Sequence, residues 1–305
     1  MRFWVGVTDN RWFDYISRHA FDEVNFWQPS AKPPFTTLPA GTPFLFKLKK
    51  PFNCIAGFGY FVRYTQLPLP LAWDAFADRN GARSLAELRA LITSNSFGPT
   101  SLTPEIGCTV VTGVTYLPKD RWIPMKRYFS GSIVRGRTYD STAEDGAEIW
   151  NSLQAIQQPI GISESNRIEE PQRFGKAFLM HARLGQGSFR TLVIDAYQRR
   201  CAITGESTLP ALEAAHIRPY ADEGPHRTNN GLLLRSDFHK LFDSGLVTVE
   251  PDYTIRISGR IRERYFNGKA YYRLHAQPLV GVPDDPLDRP SPEFLRWHNN
   301  ERFLE

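Results

Sequence analysis

Apolar positions follow two kinds of spacing along this chain, and the change between them divides it near the middle. In the first half, Phe3 to Val7 reads as a strand, Thr8-Asp9-Asn10 as a turn and helix cap, and Arg11 to His19 as a short helix. Pro43 to Leu48 and Ile55 to Tyr64 run apolar and aromatic in the manner of sheet strands. Trp73 to Phe76 and Leu85 to Ile92 carry helical spacing, and Cys108 to Tyr116 with Trp122 to Ile123 return to strand. The sum is a small mixed β-barrel with flanking helices. A helical pattern from Ala147 to Gln157 follows, and then Gln158 to Asn166, polar and broken by Pro and Gly, reads as a linker.

The second half begins with a segment from Arg183 to Arg190 that leads into an apolar helical run through Ile194 and Tyr197. Its Gly185 and Gly187 would let a phosphate approach the backbone, or would simply turn the chain into the helix. Leu209 to Ile217 reads as a strand ending at Pro219, because proline biases its predecessor to extended geometry and cannot donate to a ladder. Ala221 to Asn229 is a loop by composition, and Gly231 to Leu234 is a short apolar run. Ser236 is placed to cap a helix from Phe238 to Asp243, and Leu246 to Glu250 with Tyr253 to Ile257 predict a β-hairpin. On that helix His239 and Asp243 lie one turn apart on one face, so they could share one ion.

His216, Asn230 and His239 therefore fall in order on a strand end, a loop end and a helix. Phosphodiester cleavage needs a base to activate water, a cation to hold the phosphate and a brace to keep both in place. This segment offers a candidate for each. One histidine near an apolar strand is usually structural and one loop Asn is usually a turn former, but three such residues on these elements make a constellation.

From about Arg183 to Ser258 the pattern resembles the HNH endonuclease family, whose fold wraps two antiparallel strands and a helix around one divalent ion. The resemblance implies His216 as general base, Asn230 as the brace of the loop that orients it, and His239 as a metal ligand. It implies one divalent cation per site, Mg²⁺ or else Mn²⁺, Co²⁺ or Ni²⁺. Many members place an Asp or His ligand immediately before the base, where this chain has Ala215. Asp243 is the first candidate to replace it, with Glu213, on the opposite strand face from His216, as the alternative. Some members also clamp the core with zinc on two Cys pairs. Here Cys54, Cys108 and Cys201 are far apart with no C-x-x-C spacing, so no structural zinc and no disulfide framework are expected.

Length and charge narrow the partners. A chain of 305 residues predicts two ordinary domains, and a formal charge of +5 is compatible with nucleic acid. Arg256, Arg260, Arg262, Arg264, Lys269 and Arg273 stand against the single acid Glu263, a stripe suited to the DNA backbone or to a solvated helix face. No apolar run approaches the ~18 residues of a membrane span, and the N-terminus lacks a signal-peptide layout, so a cytoplasmic protein is expected. His181, His226 and His275 have no comparable partners and read as surface residues, while Trp150, Trp297 and the run from Pro290 to Glu305 read as packing.

The N-terminal segments FWVGVTDN, DEVNFWQPS (Asp22 to Ser30) and AGTPFLFKLKKPFNCIAGFGYFVR (Ala40 to Arg63) resemble the EVE branch of the PUA-like superfamily. That resemblance implies a small β-barrel that takes a flipped, modified base into an aromatic pocket. Unstacking costs a few kcal/mol, which ring stacking and hydrogen bonds to the base edge must offset. Asn25, Trp27 and Gln28 offer one ring and two amides, and Asp9, Asn10 and Trp12 could complete the wall, although Trp27 could equally be core.

The expected architecture is α+β: a mixed PUA-like barrel over residues 1–157, a linker over 158–172, a ββα-metal HNH domain over 173–280 and an extension over 281–305. A reader joined to an HNH domain implies a modification-dependent endonuclease acting on double-stranded DNA with 5-methyl- or 5-hydroxymethylcytosine. Cutting two strands with one site per chain implies a homodimer. A nuclease for unmodified DNA and an inactive nucleic-acid reader are the alternatives.

Overall fold

The computed structural model describes residues 1–30, 32–35, 38–95, 103–125, 133–157, 178–179 and 182–305. The expected linker and His181 lie outside them. The chain forms two compact units, Met1–Gly187 and Ser188–Glu305, of α+β architecture.

The first unit is built on one mixed sheet. Its strands are β1 (Arg2–Thr8), β2 (Glu23–Gln28), β3 (Pro43–Leu48), β4 (Cys54–Pro68), β5 (Glu105–Tyr116), β6 (Ile123–Pro124) and β7 (Gly136–Asp140). They run in the order β2-β5-β4-β3-β1-β7, with β6 on β4; β1 pairs β3 in parallel and the other pairs are antiparallel. Both faces are covered, which explains why these strands read as continuous apolar runs. Phe3, Val5, Leu45 and Phe58 pack with Ile149, Trp150 and Leu153 of helix α4 (Glu144–Gln157). Trp4, Phe44 and Phe46 pack on the other face with Trp12, Phe13 and Ile16 of α1 (Asn10–Arg18). Asp9 caps α1, accepting from the amides of Arg11 at 2.9 Å and Trp12 at 3.3 Å. Helices α2 (Leu69–Phe76) and α3 (Leu85–Ser94) lie between β4 and β5 in sequence.

Gly185 and Gly187 do not offer their amides to a phosphate. Within this unit the buried carboxylate of Glu23 accepts from both, at 2.9 and 3.0 Å, which favours the turn over the phosphate cradle.

Helix α5 (Gln186–Ala196) begins at the end of the first unit and runs into the second, where it precedes the antiparallel pair β8 (Leu212–His216) and β9 (Gly231–Arg235). Helix α6 (Ser236–Asp243), the hairpin of β10 (Val247–Val249) and β11 (Ile255–Ile257), two short helices α7 (Arg260–Tyr265) and α8 (Lys269–Tyr272), and α9 (Pro292–Glu301) follow. The expected strand from Leu209 starts later, because Leu209–Ala211, which contains Pro210, forms a 3₁₀ turn. Ser236 is not the cap of α6. Arg235 holds that position without a side-chain cap, and the Ser236 hydroxyl donates to the Ala211 carbonyl at 3.1 Å, tying the helix start to the turn before β8.

Phe238 and Phe242, four residues apart on α6, are buried, which fixes the helix by its apolar stripe and turns His239 and Asp243 away from the core. On α9, His298 stacks on Phe242 at 3.7 Å between centroids and donates Nε2–H to the Phe242 carbonyl at 3.1 Å. The C-terminal run is thus a packing element. No helix of the described residues is long and apolar enough to cross a membrane.

Candidate active site

His216 ends β8 opposite Gly231, the first residue of β9. The Phe189 ring lies flat against it, 3.7 Å between centroids at 13°. Burial, followed by the charges of His226 and His239, pushes His216 down to about 4. It is therefore neutral at working pH and has a lone pair to offer.

Asn230 is fully buried at the end of the intervening loop. Its Oδ1 accepts from the Arg218 amide at 2.9 Å, and its Nδ2 donates to the carbonyls of Arg218 at 2.9 Å and Pro225 at 3.0 Å. One side chain thus satisfies three backbone groups of the chain leaving His216, with the Ile217 amide donating to the Asn230 carbonyl at 2.9 Å beside them.

His239 is held from both sides. Its Nδ1 lies 2.5 Å from Glu213 Oε2, and its Nε2 lies 3.3 Å from Asp243 Oδ2. Burial raises Glu213, but the hydrogen bond from His239 and nearby positive charge outweigh it and hold the carboxyl below its ordinary range. The carboxylate is ionised and takes the Nδ1 proton. On the other side of the ring, His239 Nε2 faces the Asp243 carboxylate. A ring nitrogen and a carboxylate oxygen side by side on one helix face are atoms that a cation can take as ligands. Desolvation and the charge of Glu213 raise Asp243, against the attraction of His239 and Arg302.

This donor set fits a divalent cation. A nitrogen and an oxygen 3.3 Å apart can be neighbouring ligands of one ion with bonds of about 2.1 Å. Glu213, bonded to His239 Nδ1, is placed to orient the ring from behind. Among the described residues no three His, Cys, Asp or Glu side chains are grouped to hold a metal ion.

Two further placements, of His226 and of the basic stripe, differ from the sequence reading. His226 is not a partnerless surface residue: its Nδ1 meets His216 Nε2 at 3.0 Å, and Tyr220 stacks on it at 4.6 Å and 6°. Its loop position carries no periodic signal that could have marked it. Arg256 is not free for DNA, since Glu250 takes one guanidinium nitrogen at 2.8 Å and Glu305 another at 2.6 Å. Arg260 donates to the Glu305 carbonyl at 2.9 Å, Arg262 lies over the Tyr272 ring, and Arg264 is exposed on α7. His275 accepts from the Ile257 amide at 3.1 Å. Cys201 is buried, with its sulfur accepting from the amides of Thr204 and Arg235 at 3.4 and 3.3 Å.

The first unit contains a cleft of about 1430 Å³. Asp9, Asn10, Trp12, Trp27 and Gln28 line it. Asn25 does not: it is fully buried and gives its Nδ2 to Asn80 Oδ1 at 2.9 Å. Several lining residues are already occupied. Asp9 pairs with Lys49 at 3.3 Å, Asn10 donates to the Lys50 carbonyl at 3.1 Å, and Gln28 donates to the Lys32 carbonyl. Trp27 keeps part of its surface exposed while its Nε1–H donates to the Asn80 carbonyl at 2.8 Å.

The Trp12 Nε1–H reaches the same carbonyl at 3.0 Å, so buried Asn80 anchors both indoles. Gly81 follows at φ +75°, and a Cβ there would lie 2.1 Å from Trp12 Cδ1. Neither Asn80 nor Gly81 stood out in the sequence. The rim carries Arg11, Arg18, Lys49, Lys50, Arg83 and Arg135 against Asp9, Asp14 and Glu87, an excess of positive charge.

A strand end carrying a braced imidazole precedes a helix carrying His239 and Asp243 in the second unit. Residues 201–250 match the family model described as HNH endonuclease, so this segment is an HNH endonuclease domain and the protein a phosphodiester hydrolase whose class acts on DNA with a divalent ion. A search of the curated proteins finds no match. Among solved structures, the chain is similar to the ASCH protein of Zymomonas mobilis, at 12% identity over 48% of this chain and 94% of that one, with a TM-score of 0.33. It is also similar to the modification-dependent TagI restriction endonuclease, at 13% identity over 92% of this chain and 75% of that one, with a TM-score of 0.28.

Proposed function

We propose that the protein is a modification-dependent DNA endonuclease in which the first unit reads a modified cytosine and the second cuts the backbone. The observation that carries the catalytic half is the pairing of His239 Nε2 with Asp243 Oδ2 on the helix that follows the strand ending at His216 and the turn ending at Asn230. In this reading His216 takes a proton from water, Asn230 holds the chain that leaves it, and Glu213 orients His239. A divalent ion on His239 and Asp243, Mg²⁺ or Mn²⁺, supplies positive charge to the scissile phosphate and the leaving oxygen.

The reading half rests on the resemblance of the N-terminal segments to EVE domains, and the cleft supports it. A partly exposed indole with its N–H tied back offers a ring face for stacking, and the basic rim suits the flanking phosphates. A 5-methyl group would gain roughly 1 kcal/mol of apolar contact. The pocket is assigned to Trp27, Gln28, Asp9, Asn10 and Trp12, with Asn25 acting only through Asn80. The reading further includes a first domain over 1–157, a linker over 158–172, a nuclease domain over 173–280, a cytoplasmic location, and a homodimer to cut both strands.

Cleavage of one DNA in unmodified, 5-methylcytosine and 5-hydroxymethylcytosine forms tests it. Preference for a modified form is expected. Equal rates on all three would leave an HNH nuclease without a modified-base reader.

A further inference from the structure

We infer that His226 is a positioning residue of the nuclease site, holding His216 in the one tautomer that can act as a base through the contact between His216 Nε2 and His226 Nδ1. The inference rests on the reading of His216 as general base.

The two nitrogens are 3.0 Å apart, so one of them donates. If His226 Nδ1–H were the donor, His216 would carry its own proton on Nδ1 and spend its only lone pair on His226. It would then have nothing to offer water. If His216 Nε2–H is the donor, Nδ1 keeps its lone pair, and among the described residues no hydrogen-bond partner occupies that nitrogen. Only the second arrangement gives a base.

The surroundings hold this geometry. Phe189 lies flat on His216 at 3.7 Å and Tyr220 flat on His226 at 4.6 Å, while the two imidazoles meet at 62°. Asn230 pins the carbonyl of Pro225, the residue before His226. His226 is thus clamped on its ring face by Tyr220 and through its backbone by Asn230. In the cleavage step the water proton joins His216 Nδ1, the Nε2 proton stays in the bond to His226, and His226 remains neutral with its own proton on Nε2. The partly buried imidazolium therefore forms against an acceptor already in place.

The test compares His226→Ala, His226→Asn and His216→Ala in the full chain, on 5-methylcytosine plasmid with Mn²⁺, reading kcat and KM separately. His226→Ala is expected to lower kcat about 10- to 100-fold, the usual cost of losing an orienting partner, with KM and thermal midpoint unchanged. His226→Asn, whose Oδ1 can accept where Nδ1 did, should recover most of the loss. Imidazole ¹⁵N spectra of the wild type should show His216 protonated on Nε2, and this readout stands even if His226→Ala folds poorly.

Wild-type kcat in His226→Ala beside an inactive His216→Ala would overturn the positioning role and leave the base intact. So would a His216 protonated on Nδ1, or equal losses in both His226 variants. An active His216→Ala would instead remove the base, and this inference with it.

Discussion

The nuclease site and the N-terminal cleft both combine rings with polar groups, yet they are assembled over different ranges. Glu213, His216, His226, Asn230, His239 and Asp243 all come from residues 201–250, and local hydrogen bonds tie His216 to His226, Asn230 to its loop and His239 to Glu213. The cleft draws on residues from Val7 to Arg135, and most of its polar lining is engaged in capping or in backbone contacts. A site made within one strand-loop-helix unit can be held by local bonds. A site made across a sheet needs an anchor, and Asn80 provides it here.

If the helix pair binds the ion, Asp243→Asn should lower cleavage at least about 100-fold, and excess Mn²⁺ should restore part of the loss. Chelation of the wild type should abolish cleavage reversibly. Full activity in chelator would separate this site from a metal-dependent one.

The brace comes next in size. Asn230→Ala leaves the Arg218 amide and the carbonyls of Arg218 and Pro225 without partners in a buried setting. A loss on the order of 2–4 kcal/mol in denaturant unfolding is expected, with kcat falling as the His216 and His226 loop loosens. An unchanged unfolding midpoint would mean that water replaces the amide at no cost.

Acid should weaken the nuclease unit. Burial holds both His216 and His298 at about 4, below the ordinary 6.5. Between those values the unfolded chain binds protons that the folded chain does not, so this contribution is complete above about 6.5 and is lost as pH falls toward 4. Asp243, raised by burial, acts in the opposite sense. A thermal midpoint that drops steadily from pH 7 to pH 4.5 is predicted, and a flat profile would contradict the burial of these rings.

The smallest expected effect lies in the cleft. Trp27→Ala should reduce the preference for modified over unmodified DNA about tenfold, the worth of one stacked base, and leave the rate on unmodified DNA unchanged. A preference that survives would return Trp27 to the core.

Much of the nuclease unit was legible because its chemistry follows local periodicity. The four-residue offset of His239 and Asp243, and the strand end at His216, follow from spacing alone. The contact of Glu213 with His239 was not legible, since strand alternation says which face a residue takes but not which helix that face meets. His226 was missed because loop geometry brings it back onto the strand end. In the first unit, Asp9 as a helix cap was readable from its neighbours, whereas Asn80, Gly81 and the burial of Asn25 depend on contacts more than fifty residues apart in sequence. The pairing of Arg256 with Glu305 depends on where the chain end returns.

The most direct test is cleavage of cytosine-methylated plasmid by wild type and His216→Ala, with and without a divalent ion, alongside DNA binding by both. Metal-dependent cutting by the wild type, with His216→Ala binding DNA but at least about 100-fold slower, is the predicted result. Cutting by His216→Ala at the wild-type rate would contradict it.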